Sequence, residues 1–171
     1  MTFLDLAQNM FSGILPEWIG SKLPSLTHLR LRSNMFTGNI PTQLAELGDL
    51  QLLDLADNRI SGYIPSSLGN MTGYGASGND RIVDSLPIVT KGQDRGVIYM
   101  VSLDLSDNVL DGEIPEELSA LTGLVNLNLS RNHLTGTVPW YIGAIKKLES
   151  LGLSKNMLSG GIPSSLSDLT H

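Results

Sequence analysis

Cysteine is missing from all 171 residues. That excludes disulfides, thiolate metal centres and thiol nucleophiles. Basic residues are also in short supply, with 11 Lys and Arg against 17 Asp and Glu and a net charge of −6. A surface built to hold nucleic acid needs the opposite balance. No apolar run reaches the roughly 18 residues a membrane-spanning helix requires. The opening segment MTFLDLAQNM lacks both a basic stretch and an apolar stretch, so it is expected to carry no signal peptide. Aromatic residues make up only 5% of the chain.

What the chain does contain is repetition. Six stretches follow one template: LDLAQNMFSGILP, LRLRSNMFTGNIP, LDLADNRISGYIP, LDLSDNVLDGEIP, LNLSRNHLTGTVP and LGLSKNMLSGGIP. Their asparagines, Asn9, Asn34, Asn58, Asn108, Asn132 and Asn156, are spaced by 25, 24, 50, 24 and 24 residues. In each, a glycine follows four residues after the Asn and a proline three residues after the glycine. A period in this range on a leucine framework specifies a solenoid of leucine-rich repeats, an α/β architecture of about six 24-residue coils.

One unit shows how a coil folds. In LQLLDLADNRISGYIPSSLGNM the alternation Leu53, Asp54, Leu55 has period two, so the leucines share one face and Asp54 takes the other. That is a short strand, and stacking six copies predicts a concave parallel sheet. Asn58 falls where the chain turns inward and must satisfy its amide, which predicts a ladder of six side chains bonding the turn and the adjacent coil. Gly62 suits a position that a Cβ would hinder. Pro65 stops the extended segment, leaving room for about one helical or 3₁₀ turn on the convex side. The 50-residue step implies that residues 72–100 interrupt the solenoid, with repeats 1–3 in 1–71 and repeats 4–6 in 101–171.

The pattern LxxLxLxxNxLxGxIPxxL resembles the plant-type extracellular leucine-rich repeat. The stretches PEWIG, LRLRSNMFTGNIP, LQLLDLADNRISGYIP, SLGNMT, VTKGQDR, YMVSLDLSDNVLDGEIPEEL and LESLGLSKNMLSGGIPSSLSDLT resemble the membrane-proximal part of plant receptor-like proteins. These are kinase-less cell-surface receptors with fungal-resistance and xylanase-sensing members. The resemblance implies an island insertion near the C-terminal end and extracellular or plasma-membrane localisation. It implies no cofactor, and as partners a protein, peptide or oligosaccharide elicitor and a co-receptor kinase, with membrane attachment only through other parts of a parent receptor. Caps, acidic stretch, transmembrane helix and tail are expected to be missing here, as in a fragment or truncated relative. The spacing of Lys91 and Gly92 from Tyr99 implies a shortened island.

Within the island the candidate ligand contacts are Asp80, Arg81, Lys91, Asp94, Arg95 and Tyr99; the plainer reading is a flap packed through Ile82, Val83, Leu86, Ile88 and Val89. Gly73, Gly75 and Gly78 match GxGxxG but lack the flanking strand and helix of a dinucleotide site, so they read as loop. On the concave face the candidates are His28, Arg30, Arg32, Asp54, Asp57, Asp104, Asp107 and Arg131, although the Asp column reads equally well as a set of backbone ligands. Trp18, Trp140 and Tyr141 follow the prolines and are expected to pack on the convex side. Six acids and no base fall in residues 101–124, which accounts for the whole charge imbalance.

Asn70 and Asn128 open N-glycosylation triplets. No GxSxG, HExxH or phosphate-binding loop occurs, and the three histidines are dispersed, so the chain reads as a non-enzyme that binds no metal. Alternatives are a soluble apoplastic inhibitor of microbial wall-degrading enzymes, a truncated decoy, or an ice-binding solenoid. The last would use the column Ser12, Thr37, Ser61, Thr135, Ser159, which Asp111 breaks.

Overall fold

The computed structural model describes residues 1–71 and 101–169. The island and all its candidate residues lie outside the described residues. The concave layer is a six-stranded parallel sheet built from β1 (Phe3–Asp5), β3 (His28–Arg30), β5 (Leu52–Asp54), β7 (Ser102–Asp104), β9 (Asn126–Asn128) and β10 (Ser150–Gly152), adjacent in that order. Register is strict, with Leu4, Leu29, Leu53, Leu103, Leu127 and Leu151 paired in sequence down one column. Strands of three residues suffice because each is one rung of a ladder that its neighbours complete.

Between the asparagine and the proline of each coil the chain forms a second parallel ladder, which the repeat pattern did not predict. It holds β2 (Ser12–Ile14), β4 (Met35–Gly38), β6 (Arg59–Tyr63) and β8 (Val109–Asp111), and bridges Glu113–Thr135 and Thr137–Ser159 extend it through the remaining coils. The β-branched and aromatic residues of this segment favour an extended chain.

The convex side carries α1 (Trp18–Lys22) and five 3₁₀ turns, at Thr42–Glu46, Ser66–Asn70, Glu116–Ala120, Trp140–Ala144 and Ser164–Asp168. Each 3₁₀ turn follows a proline held at φ between −62° and −65° in extended geometry, so the proline ends one segment and sets the entry to the next. The core is a ribbon of leucines. Leu29, Leu53, Leu103 and Leu127 are fully buried, as are Leu55, Leu105 and Leu129. Each such burial stabilises by about 1.5–3 kcal/mol.

The two halves either side of residues 72–100 stack directly. β5 pairs with β7 in the register Leu53–Leu103, and β6 pairs with β8 in the register Gly62–Leu110. The predicted asparagine ladder is present. Asn34, Asn58, Asn108 and Asn132 each donate from Nδ2 to two carbonyls of their own turn and to one in the preceding coil. Their Oδ1 atoms accept the preceding coil's backbone N–H, from Phe11, Phe36, Ile60 and Leu110 in turn, and Asn156 does the same for Leu134.

Candidate functional site

The side chains that alternate with the buried leucines stand on the concave surface. Four of the predicted candidates converge there into one chain of ion pairs. Asp5 meets Arg30 at 3.1 Å, Arg30 approaches Asp54 at 4.0 Å, Arg32 lies 3.8 Å from Asp54, and Arg32 meets Asp104 at 3.3 Å. The ladder crosses four coils, including the junction at residues 72–100, and leaves both guanidinium side chains 41% exposed.

The aspartates have a second task. Asp5, Asp54 and Asp104 each accept a backbone N–H two residues on, from Ala7, Ala56 and Ser106, so they fix the turn that leaves the strand. Burial pushes the Asp54 carboxyl above its ordinary range, the Ala56 N–H works against that, and the nearby Asp104 charge adds to it. Arg30 and Arg32 only partly offset the burial.

His28 sits apart, tilted against Phe3 at 5.7 Å and bonded to the Thr27 hydroxyl. Burial, then the Arg30 charge, lowers its pKa. Asp107 and Arg131 form a separate exposed pair at 3.2 Å, and Asp57 makes no ion pair among the described residues. These last three belong to a column that the sequence reveals by its period, without revealing its backbone conformation. Gln8, Ser33, Asp57, Asp107, Arg131 and Lys155 all hold φ between 52° and 56°, a left-handed conformation that turns the chain inward just before each asparagine. In the fifth and sixth coils the concave strands change character: Asn126, Asn128, Ser130, Ser150, Gly152 and Ser154 are uncharged and small, and charge remains only in the flanking column at Arg131 and Lys155.

Trp18 and Trp140 do not pack as expected. They are 52% and 68% exposed, because the inward positions of their turns go to the neighbouring Ile19 and Ile142. Trp140 leans on Tyr141 at 4.7 Å, and a hydrogen bond to Glu116 pushes the Tyr141 hydroxyl up to about 12. The Ser/Thr column lies on the second ladder, where Thr37 and Ser159 hydroxyls donate to the carbonyls of Gly13 and Gly136 in the preceding coil. Those hydroxyls already serve the stacking of coils, and Asp111 interrupts the row. Among the described residues no group of three or more His, Cys, Asp or Glu is placed to hold a metal ion, and no helix is long and apolar enough to cross a membrane.

Comparison with known proteins agrees with this geometry. The leucine-rich repeat family matches residues 1–69, and again 99–121, 123–145 and 147–169. Receptor-like protein EIX2 of Solanum lycopersicum is 43% identical over 145 residues, spanning 72% of this chain and 14% of that protein. Receptor-like protein 49 of Arabidopsis thaliana is 34% identical over 141 residues, spanning 73% of this chain and 17% of the relative. The chain thus corresponds to less than a fifth of the length of these relatives.

Among solved structures, the ectodomain of the Arabidopsis thaliana receptor kinase GASSHO1/SCHENGEN3 superimposes with a TM-score of 0.81 at 34% identity, over 99% of this chain and 17% of that one. The Arabidopsis thaliana SOBIR1 ectodomain gives 0.72 at 26% identity, over 94% of this chain and 72% of that one. Repeat matches along the described coils, receptor-like relatives and ectodomain neighbours lead to one assignment. The chain belongs to the leucine-rich repeat family, in its plant receptor-like protein branch.

Proposed function

We propose that this chain is the recognition segment of a plant cell-surface receptor-like protein, and that it binds an extracellular elicitor together with a co-receptor kinase on its concave face. The observation that carries the reading is the ion-pair ladder Asp5–Arg30–Asp54–Arg32–Asp104, a charged strip four coils long with exposed guanidinium groups. Such a strip offers paired donors and acceptors to a polar chain laid along the sheet, since Arg presents a planar fork of N–H groups. The similar ectodomain of GASSHO1/SCHENGEN3 was solved with CASPARIAN STRIP INTEGRITY FACTOR 2, and that of HAESA with the peptide hormone IDA and the co-receptor SERK1. Those complexes support a peptide-and-co-receptor mode for the present fold.

The test is co-elution of the secreted chain with the SERK1 ectodomain, with and without a fungal xylanase as elicitor probe. The expected result is an elicitor-dependent complex that Arg30→Glu with Arg32→Glu weakens at least tenfold, with the circular dichroism spectrum unchanged. Absence of a complex under either condition would leave the chain as a structural segment only.

A further inference from the structure

We propose that Asn128 carries an N-linked glycan, and that this glycan covers the concave face of the fifth and sixth coils, confining partner contacts to the charged ladder of the first four. The inference rests on the extracellular reading above, because N-linked glycans are added to secreted chains. Asn128-Leu129-Ser130 is an acceptor triplet, and the fold places it in the column of Asp5, Arg30, Asp54 and Asp104.

The orientation of its amide follows from its neighbours. Asp104 Oδ1 accepts from the Ser106 N–H at 3.0 Å, and Oδ2 turns to the Arg32 guanidinium above the concave surface. Asn128 Oδ1 accepts from the Ser130 N–H at 3.2 Å and from the Ser130 hydroxyl at 2.7 Å. A backbone N–H can be met only by the carboxamide oxygen, so the nitrogen must take the place of Asp104 Oδ2 and face the open concave side. Nδ2 is the atom that bears a glycan, and among the described residues it has no hydrogen-bond partner. The neighbouring coil clears space for this side chain, since any Cβ at Gly152 would run into Asn128 Oδ1. Ser102, Asn126 and Ser150, aligned two residues before Asp104, Asn128 and Gly152, are short and polar, a bed on which sugar hydroxyls can lie without displacing an apolar contact.

The second triplet provides an internal reference. Asn70 is exposed at the end of the convex turn Ser66–Asn70, away from the concave face. The experiment is to secrete the full chain from a plant or insect-cell host and to map each site by glycosidase release in heavy-oxygen water. Occupancy at Asn128, lost in Asn128→Asp and in Ser130→Ala, is the expected result. Asn128→Asp retains the oxygen acceptor that Asp54 and Asp104 use, so it removes the glycan without removing the turn. An unmodified Asn128 overturns the proposal, whether or not Asn70 is modified.

Coverage is read separately, from lysine acetylation of the folded protein. Lys155, one coil on, should acetylate at least fivefold faster in Asn128→Asp than in the glycosylated chain, with Lys22 as the unaffected control. Equal rates would overturn the covering role. Neither readout requires a binding partner, so they can fail independently of the recognition reading.

Discussion

Asn108 Nδ2 donates to the Leu55 carbonyl at 3.0 Å, across 53 residues of sequence and the whole of the insertion. Its Oδ1 accepts the Ile60 N–H at 2.9 Å, so one side chain ties the two halves of the solenoid together. Asn108 is buried, and removing it strands the Ile60 N–H, while the Leu55, Leu105 and Ser106 carbonyls each lose one of two donors and keep Asn58 Nδ2, Asn132 Nδ2 and the Asp57 N–H. Each unsatisfied buried group costs about 1–3 kcal/mol. With one stranded donor and three carbonyls each losing one bond, Asn108→Ala should lose roughly 2–4 kcal/mol in chemical denaturation. Asn9 bonds only its own turn, at Leu6 and Ala7, and is exposed. Asn9→Ala should lose less than about 1 kcal/mol, and equal losses would refute the ladder as the source of stability.

Gly112 holds φ +75°, and a Cβ there would run into the ring of Tyr63 in the coil before. Gly112→Ala should cost about 1–2 kcal/mol for the left-handed conformation plus whatever displacing the ring adds. Tyr63→Ala in the same chain should recover the second part, giving a coupling energy in a double-mutant cycle. Gly13, at φ +90° with nothing within 4 Å, should show the conformational cost alone on substitution by Ala.

Asp54 responds to pH in the opposite sense to a typical ion-paired aspartate. Its folded-state pKa is raised by burial, so above its ordinary value of 3.8 the folded state holds the proton more tightly than the unfolded state does. Stability then falls as pH rises through that window, and ionised Asp54 is a net burden at neutral pH. Asp54→Asn keeps an oxygen for the Ala56 N–H, as Asn128 does for Ser130. The variant should be as stable as the parent or more so at pH 7, with the gain shrinking towards pH 4. A loss at pH 7 would show that the ion pairs outweigh burial.

The insertion should be removable. Met71-Thr72-Gly73 followed by Met100-Val101-Ser102-Leu103 reproduces Leu121-Thr122-Gly123-Leu124-Val125-Asn126-Leu127, position for position in type. Deleting residues 74–99 cuts the step from Asn58 to Asn108 from 50 residues to 24, the ordinary period. The shortened chain should fold with the same circular dichroism spectrum and an equal or higher melting temperature, since a shorter loop costs less entropy to close. Aggregation, or loss of the cooperative transition, would contradict direct stacking of β5 on β7.

Much of this was legible in the sequence because a repeat makes each residue's environment the average of several copies. The leucine alternation predicted the concave sheet, and the Asn, Gly and Pro of each unit predicted the ladder, the tight backbone position and the convex turns. The second ladder was missed because each of β4, β6 and β8 buries a single side chain, Phe36, Ile60 or Leu110, which is too few to show an apolar alternation; the Ser/Thr column was its other trace. Trp18 and Trp140 were misplaced because bulk suggested burial, while Ile19 and Ile142, one and two residues further on, held the inward positions. Among the concave candidates the columns were legible but the partners were not. Which guanidinium reaches which carboxylate depends on strand register across coils, and that register becomes fixed only once the solenoid is stacked.

Amide hydrogen exchange of the full chain tests most directly whether the coils form one continuous recognition surface through the insertion. Continuous stacking predicts that the Phe36, Ile60 and Leu110 amides, each bonded to the asparagine of the following coil, exchange together through a single cooperative opening. Fast exchange at Ile60 beside slow exchange at Phe36 and Leu110 would mean two separate half-solenoids, and the four-coil concave ladder would not exist in solution.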